Sequence, residues 1–306
     1  MIKEIIENKF PNNNAKCSLY KEHLCKVCNE FIERGLADPK YLQEISSGVD
    51  AKFWSCLSEA LFAHFLHGKE FPPRTQKGEG PDFLVLSGRQ RVWIEVICPE
   101  PSNLPVGWMN HVEGVIDFPH KEILLRWTSA IKAKAEQLLG TSDGKKPGYL
   151  ETGIVAPSDA YVIAVNACQL RGRSGSNLFG ISQFPFAAEA VFPIGPYQLK
   201  LNKDTLEVVD RGHQHRPIIM NQNNSPVPAY TFLNPQFNNI SAIWAADMNG
   251  GTILGNSEPL AVIHNPNAKN KISQGILPAD FEYIASPINN EELVLEKYPG
   301  TICNKY

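Results

Sequence analysis

Helical periodicity is clearest in three segments of the chain. Apolar residues recur every three or four positions over residues 16–36 and over 120–139, HKEILLRWTSAIKAKAEQLL. Between them, AKFWSCLSEALFAHFLHG runs from residue 51 to 68, is apolar on nearly every side and follows Asp50, a suitable N-cap. Because a helix that is apolar all round is expected to be buried, the pattern predicts three helices, the second of them inside the core.

Extended segments lie between and after these helices. Residues 82–87 and 91–98 flank the turn SGRQ and predict two neighbouring strands. The run AYVIAVNAC, 160–168, is apolar almost throughout, as in a strand buried on both faces. Residues 99–119, interrupted by Pro and Gly, have no regular period and predict a long surface loop. Further strands are predicted at 189–194, 197–202, 206–210, 240–246 and 259–264.

The order helix, strand, strand, helix, strand is typical of layered α/β proteins. We therefore predict an α/β fold with a mixed central sheet flanked by helices. The chain of 306 residues exceeds the usual size of one domain, although a single enlarged α/β domain is compatible with it. We divide it into an N-terminal helical segment (1–49), an α/β core with insertions (50–265) and an irregular C-terminal tail (266–306).

Composition indicates a globular protein with a substantial core. Hydrophobic residues make up 43% of the chain and charged residues 20%. The formal charge of −3 gives no overall attraction to a polyanion, so a nucleic-acid partner would require a local basic patch. No run approaches the roughly 20 apolar residues that span a bilayer, and we expect no membrane partner. The N-terminal MIKEIIENKFPNNNAK lacks the long apolar region of a secretory signal.

The seven cysteines are scattered and do not resemble a disulfide scaffold, so we expect a cytoplasmic protein. Cys25 and Cys28 in CKVC have metal-ligand spacing, with His23 nearby. The segment has a helical pattern, however, and no second pair lies at the distance that a closed zinc site requires. We interpret CKVC as part of an ordinary helix.

Three carboxylates occupy positions where burial makes them costly. Glu95 lies in the middle of VWIEVIC, and Glu59 is the only Asp, Glu, Lys or Arg between residues 53 and 66. Asp82 follows Pro81 at the start of a predicted strand. An ionised carboxylate is expensive to bury unless it is paired or holds a cation. Carboxylate oxygens suit Mg²⁺ or Mn²⁺, so the three acids predict a shared cation site.

The spacing of these acids resembles the motif of the PD-(D/E)XK nucleases. In that motif a Pro-Asp pair on one strand precedes an acid, one residue and a lysine on the next strand. Pro81-Asp82 is followed thirteen residues later by Glu95, and Glu59 lies where many members keep a further acid. The element order over about 50–168 also resembles the family core. The resemblance thus covers roughly a third to two-fifths of the chain.

This resemblance implies a restriction-endonuclease-like core and hydrolysis of phosphodiester bonds in DNA or RNA, with Mg²⁺ or Mn²⁺ as cofactor. Asp82, Glu95 and Glu59 would be the metal ligands and would belong to the catalytic residues. A nucleic acid of either type would be the partner.

The sequence departs from the motif at the lysine. Side chains alternate along a strand, so residue 97 points the same way as Glu95, and this chain has Ile97 there. At about 100° per residue, Lys134 falls within the apolar face of helix 120–139, whereas Lys132 projects to the opposite, wet side. Some family members carry their lysine on this helix, which makes Lys134 the candidate catalytic lysine.

The same helix offers candidate substrate contacts. Arg126 and Gln137 lie along the edge of the apolar face, and the planar guanidinium of Arg126 suits bidentate contact with a phosphate. Ser129 and Gln137 are secondary candidates.

Each of these residues also has a structural interpretation. Asp82 can be a turn acid that accepts hydrogen bonds from nearby amides. Glu95 can pair with Arg89 or Arg91 across the hairpin. Glu59 can form a buried ion pair with the lysine of the third helix. Their joint occurrence in the family's order favours the functional interpretation.

Two histidine-bearing segments and one basic loop add weaker indications. His213 and His215 in HQH have spacing compatible with a metal, but they lie beside two arginines, which predicts a solvated turn. The segment RGRSGSN, 171–177, has arginines suited to a phosphate backbone. His264, in HNPNAKNK, can either enter the site or close a turn.

The sequence therefore predicts a metal-dependent nuclease. The alternative is a catalytically inactive protein of the same fold that serves as a binding or scaffold module, which Ile97 and the modest charge favour. A third hypothesis, an unrelated α/β enzyme that uses the histidine-bearing loops, would place His264 in the main cleft and Glu95 away from it.

Overall fold

The structure is a computed structural model of the full chain. It describes residues 1–12, 14–66, 68–69, 80–110, 114, 117–172, 179–249, 260–287 and 293–301. Most of the basic loop predicted at 171–177 lies outside these residues.

The described residues form seven α-helices. They are α1 (Ile2–Lys9), α2 (Ala15–Glu33), α3 (Tyr41–Ile45), α4 (Asp50–Phe65), α5 (Val106–Met109), α6 (His120–Leu139) and α7 (Phe186–Val191). The three helices predicted from periodicity are α2, α4 and α6, and the bounds of α6 agree with the prediction. Short 3₁₀ turns cover Cys168–Leu170, Thr231–Leu233 and Pro235–Phe237.

Seven strands of the described chain form one central sheet. They are β1 (Phe83–Ser87), β2 (Gln90–Ile97), β3 (Ala160–Asn166), β8 (Ala242–Ala246), β9 (Ala261–His264), β10 (Phe281–Pro287) and β11 (Leu293–Pro299), adjacent in that order. Two small hairpins lie outside it: β4 (Ile194–Leu201) with β5 (Val208–His215), and β6 (Ile218–Met220) with β7 (Pro226–Pro228).

The central sheet is mixed. The hairpin β1–β2 is antiparallel, and β2, β3 and β8 run parallel to one another. The strand β9 is antiparallel to β8 and parallel to β10, and β11 closes the sheet antiparallel to β10. The prediction of an α/β fold with a mixed central sheet is confirmed.

Helices cover both faces of this sheet. Alternating strand residues such as Ile94, Val162 and Trp244 form one apolar cluster with helices α1 to α4. Their neighbours in sequence, such as Ile163 and Ile243, form a second cluster with α5, α6 and α7. The segment 1–49, predicted to be helical, therefore shares its core with α4 and the sheet. Among the described residues, no helix combines the length and apolarity that a bilayer crossing demands.

Two predictions were wrong in the second half of the chain. The first half of the predicted strand 189–194 belongs to α7 and only its last residue to β4, because a short apolar run does not by itself distinguish helix from strand. The tail over 266–306, predicted to be irregular, contributes β10 and β11 to the sheet. The pairing of β10 with β9 supplies backbone hydrogen bonds that the local sequence of the tail does not predict. The predicted loop 99–119 includes the short helix α5.

Trp244 shows how the sheet and α4 are joined. Its side chain is fully buried, its ring lies 4.6 Å from that of Phe62 between centroids, and its Nε1 donates to Pro278 O at 2.9 Å. The residue thus links β8 to α4 and to the segment before β10.

We expect Trp244→Ala to lower the free energy of unfolding by about 3–5 kcal/mol, because it leaves a cavity where a large aromatic side chain was buried. Urea denaturation followed by circular dichroism measures this. The control is Leu199→Ala on the exposed β4, where the side chain is 56% exposed and the change should be small. Equal losses in the two variants would contradict this account of the core.

Candidate functional site

The site lies where β1 stops alongside β2. Phe83, the first residue of β1, pairs with Ile94, so β1 pairing does not extend to the C-terminal end of β2. Asp82 takes its place there, because its Oδ2 accepts a hydrogen bond from Val96 N at 2.6 Å. Asp82 thus accepts a hydrogen bond from a backbone amide, as in its structural interpretation, but this amide belongs to the neighbouring strand, and the contact holds the carboxylate at the sheet edge.

The strand β2 directs Glu95 toward α6. Ile94 and Val96 belong to the cluster beneath α1 to α4, so the alternation of side chains turns Glu95 to the other face. Glu95 is 4% exposed, and its register partner in β3 is Ile163, which packs under α6. The sequence pattern that predicted burial of this carboxylate is confirmed.

Lys134 of α6 pairs with Glu95. Its Nζ lies 2.6 Å from Glu95 Oε1, and the two side chains are 15% and 5% exposed. Burial lowers the pKa of Lys134, but the charge of Glu95, followed by that of Asp82, the hydrogen bond to Glu95 and the charge of Glu59, raises it above the ordinary value overall. Lys134 therefore stays protonated inside a group of acids.

Glu59 approaches this group from α4. It lies on the helix layer opposite α6 and is half-buried. Its charge acts on Lys134 less than those of Glu95 and Asp82 do. The predicted ion pair between Glu59 and Lys134 is thus replaced by the short contact between Lys134 and Glu95. Arg91, one of the two suggested partners of Glu95, pairs with Asp159 at 3.3 Å instead.

Two tyrosines that the sequence did not single out line this site. Burial, followed by the charges of Glu95 and Asp82, raises the pKa of Tyr149. Tyr161 of β3 has a raised pKa, mainly through burial and then Glu95, and its hydroxyl donates to Lys134 O at 3.4 Å. The sequence offered a signal for Tyr161 only, since its hydroxyl interrupts the otherwise apolar run of β3. Tyr149 follows α6 in an irregular segment, where no pattern marks it.

The predicted cation site of three carboxylates is not formed as such. In the part of the chain that the structure describes, no group of three His, Cys, Asp or Glu side chains is placed to hold a metal ion. The reason is geometric: Glu59 comes from the other helix layer, and Lys134 takes an oxygen of Glu95. Asp82 and Glu95 still fit Mg²⁺ or Mn²⁺, because such ions use one or two protein carboxylates and fill their remaining positions with water and phosphate oxygens.

A cleft of about 400 Å³ lies between α4 and α6 just beyond the C-terminal end of β2, and neither Glu95 nor Lys134 lines it. Its lining includes Ile97, which follows Glu95 on the same face, and Arg126 and Ser129 of α6. Arg126 Nε donates to Glu100 O at 2.8 Å, which fixes the guanidinium at the cleft wall. Gln137, the third predicted contact, is exposed and does not line the cleft; it lies about 6 Å along the helix axis beyond Ala133, the last lining residue of α6.

The histidines lie elsewhere. His213 and His215 are both exposed on β5, so their predicted solvation is confirmed and the predicted turn is wrong; His213 Nε2 contacts Ser182 O at 3.0 Å. His264, at the end of β9, is buried and lies 2.6 Å from Glu282 Oε2. It lines a separate cleft of about 550 Å³. Cys25 and Cys28 lie in α2 as free thiols.

Comparisons with family models, with curated proteins and with solved structures find no match to this chain. The assignment of a function therefore depends on the geometry of the site.

The raised pKa of Lys134 predicts a pH dependence of stability. Because the folded chain holds this proton more tightly than the unfolded chain does, the contribution is complete below the ordinary pKa of 10.5 and is lost as the pH rises through the folded-state pKa. The free energy of unfolding, measured in urea between about pH 8 and about pH 11, should fall faster in the wild type than in Glu95→Gln/Lys134→Met.

Lys132→Met provides the matched control, because Lys132 lies on the same helix with its side chain 73% exposed. Its profile should run parallel to that of the wild type. A constant difference between the wild type and the double variant across this range would show that Lys134 titrates as an ordinary lysine.

Proposed function

We propose that this protein is a Mg²⁺- or Mn²⁺-dependent nuclease with a restriction-endonuclease-like core. The observation that carries the proposal is the contact of 2.6 Å between Lys134 Nζ and Glu95 Oε1 at the sheet edge that Asp82 also occupies. Lys134 thus contacts the acid of the motif from α6, and its proposed role is that of the strand lysine of the PD-(D/E)XK motif, where this chain has Ile97.

The order of elements supports the same assignment. The helix α4 is followed by the antiparallel hairpin β1–β2, then by α6 and by β3, which is parallel to β2. This is the order that the resemblance implies for the core. It places the acidic positions of two neighbouring strands and the lysine of the following helix on one face of the sheet.

Asp82 and Glu95 would hold the divalent ion, with Glu59 behind them. The bound ion would lower the pKa of a water molecule and polarise the scissile phosphate. Both carboxylates are held in place before a ligand arrives, Asp82 by Val96 N and Glu95 by Lys134. Such preorganisation reduces the cost of ordering the site.

Lys134 acts by its positive charge. Because its pKa is raised, it keeps its proton at neutral pH and is unsuited to act as a general base. As a hydrogen-bond donor it can orient the attacking water or neutralise charge that develops on the phosphate. The raised pKa values of Tyr149 and Tyr161 likewise keep these hydroxyls protonated.

The substrate would be a nucleic acid that enters along the cleft beside Ile97. Arg126 and Ser129 of α6 and Lys52 of α4 present polar groups to this cleft, which Glu44 and Glu100 also line. Because Lys52 lies 4.0 Å from Glu44 and the overall charge of −3 does not attract polyanions, Arg126 is the basic contact that we propose for a phosphate. Contacts of this type bind the phosphate backbone and carry no base preference.

We expect Asp82→Asn and Glu95→Gln each to reduce Mn²⁺-dependent cleavage of DNA or RNA by at least about 100-fold, because each removes a ligand charge. Lys134→Met should reduce it by a similar factor, about 100-fold, through loss of charge stabilisation. A gel assay with radiolabelled single- and double-stranded substrates measures the rates, and circular dichroism checks the fold.

Lys132→Met is the matched control for these variants and should cut at the wild-type rate. If the Asp82→Asn and Glu95→Gln proteins cut as fast as the wild type, the assignment of this site is wrong.

The second candidate is a nuclease-fold protein without activity that serves as a binding or scaffold module. Two observations favour it: Lys134 pairs internally with Glu95, and no group of three ligand side chains is placed for a metal in the described residues. A buried pair of this kind is compatible with a purely structural role.

Calorimetric titration with Mn²⁺ separates the two candidates. The enzyme should give saturable heat that Asp82→Asn abolishes and Lys132→Met leaves unchanged. Heat indistinguishable from dilution in the wild type, at millimolar Mn²⁺ and in the presence of an oligonucleotide, would favour the inactive module.

A further inference from the structure

Two thiols meet at the ends of the neighbouring parallel strands β2 and β3. Cys98 directly follows β2, and Cys168 begins the 3₁₀ turn after β3. Their sulfur atoms lie 3.8 Å apart although the residues are 70 positions apart in the chain. A disulfide requires about 2.05 Å between the sulfurs, so a small approach of the two side chains would bridge the strands.

Polar side chains hold both cysteines in position. Gln169 Nε2 donates to Cys98 Sγ at 3.4 Å, and Asn166 Oδ1 accepts from Cys168 N at 3.4 Å. The Asn166 amide also donates to Ser58 Oγ of α4 at 2.8 Å. Residues at the ends of two strands and on one helix therefore hold the two thiols in place.

The two thiols differ in proton affinity. Burial raises the pKa of Cys98, but hydrogen bonds from Cys168, Ser58 and Gln169 hold it below its ordinary value overall. The pKa of Cys168 is raised, mainly by burial and then by Cys98. Since the thiolate is the nucleophile, Cys98 is suited to attack first and Cys168 to follow.

A small oxidant can approach Cys98. This residue lines the cleft of about 400 Å³ beside Ile97 and Ser55, and Cys168 is half-buried next to it. By contrast, burial raises the pKa of Cys28 to about 12 within the apolar cluster of α1 to α4. Cys98 therefore lines a cleft and also has a second thiol beside it.

We propose that Cys98 and Cys168 form a redox-active dithiol that a peroxide oxidises to an intramolecular disulfide. The Cys98 thiolate attacks one oxygen of hydrogen peroxide, the O–O bond breaks, and a sulfenic acid and hydroxide form. The Cys168 sulfur then attacks the sulfenic sulfur, the S–S bond forms and the S–O bond breaks. Both thiol protons end in water, so two thiols are oxidised while one peroxide is reduced to two water molecules.

The dithiol shares the cleft beside Ile97 with the proposed nuclease site, but its chemistry uses none of the proposed metal ligands. Cys98 lies three residues beyond Glu95, and alternation of the side chains places it on the opposite face of β2. The dithiol test therefore has no readout in common with metal-dependent cleavage.

The test treats the reduced full chain with one equivalent of hydrogen peroxide, blocks remaining thiols with N-ethylmaleimide, and identifies cross-linked peptides by mass spectrometry after non-reducing digestion. We expect a peptide pair that joins Cys98 to Cys168 and the loss of two thiols. Cys168→Ser should instead accumulate a Cys98 sulfenic acid that dimedone traps. In Cys98→Ser, peroxide should leave Cys168 reduced.

Cys56→Ser is the matched control, because Cys56 is a buried thiol of α4 whose Sγ contacts Tyr41 O and neither cysteine of this pair, and the yield of the disulfide should not change. The wild type should also lose Cys98 to peroxide at least about threefold faster than Cys17. The proposal is overturned if the wild type forms no Cys98–Cys168 linkage under these conditions, or if Cys98 and Cys17 react at equal rates.

Discussion

A carboxylate buried in the middle of β2 requires a cation, and Lys134 provides it. Glu95 is surrounded by strands and by α6, where an unpaired charge would be strongly destabilising. The ion pair fixes the angular position of α6 on the sheet, because Lys134 can reach Glu95 only when the helix presents that face. The position of Arg126 and Ser129, on the same helix, follows from this constraint.

The sheet edge determines what this ion pair can do. The pairing of β1 stops opposite Ile94, and Asp82 completes the edge through Val96 N. A second carboxylate therefore lies beside the first in a region that helices α4 and α6 border from the two faces. Asp82 thus has two effects: it accepts a hydrogen bond from a backbone N–H at the edge of the sheet, and its charge helps to raise the pKa of Lys134.

The C-terminal ends of β2 and β3 carry two distinct kinds of chemistry. Charged oxygen and nitrogen atoms meet on the face of α6, whereas the two thiols meet on or beyond the other face, near Ser58 of α4. Because side chains alternate between the two faces of a strand, Glu95 and Cys98, three positions apart, lie on opposite faces. Parallel strands bring their carboxyl ends to one edge of a sheet, which is why residues far apart in sequence become neighbours there.

The sequence by itself determined the long helices α2, α4 and α6, the hairpin β1–β2 and the buried strand β3, because their apolar periods are long and regular. It also determined that Lys134, and not Lys132, faces the sheet. Only the tertiary structure decided that Glu95 pairs with Lys134 and not with Arg91, that β10 and β11 extend the sheet, and that Cys98 meets Cys168. These contacts join residues distant in sequence, and a local pattern of apolar and polar residues contains no information about which distant partner will lie within bonding distance.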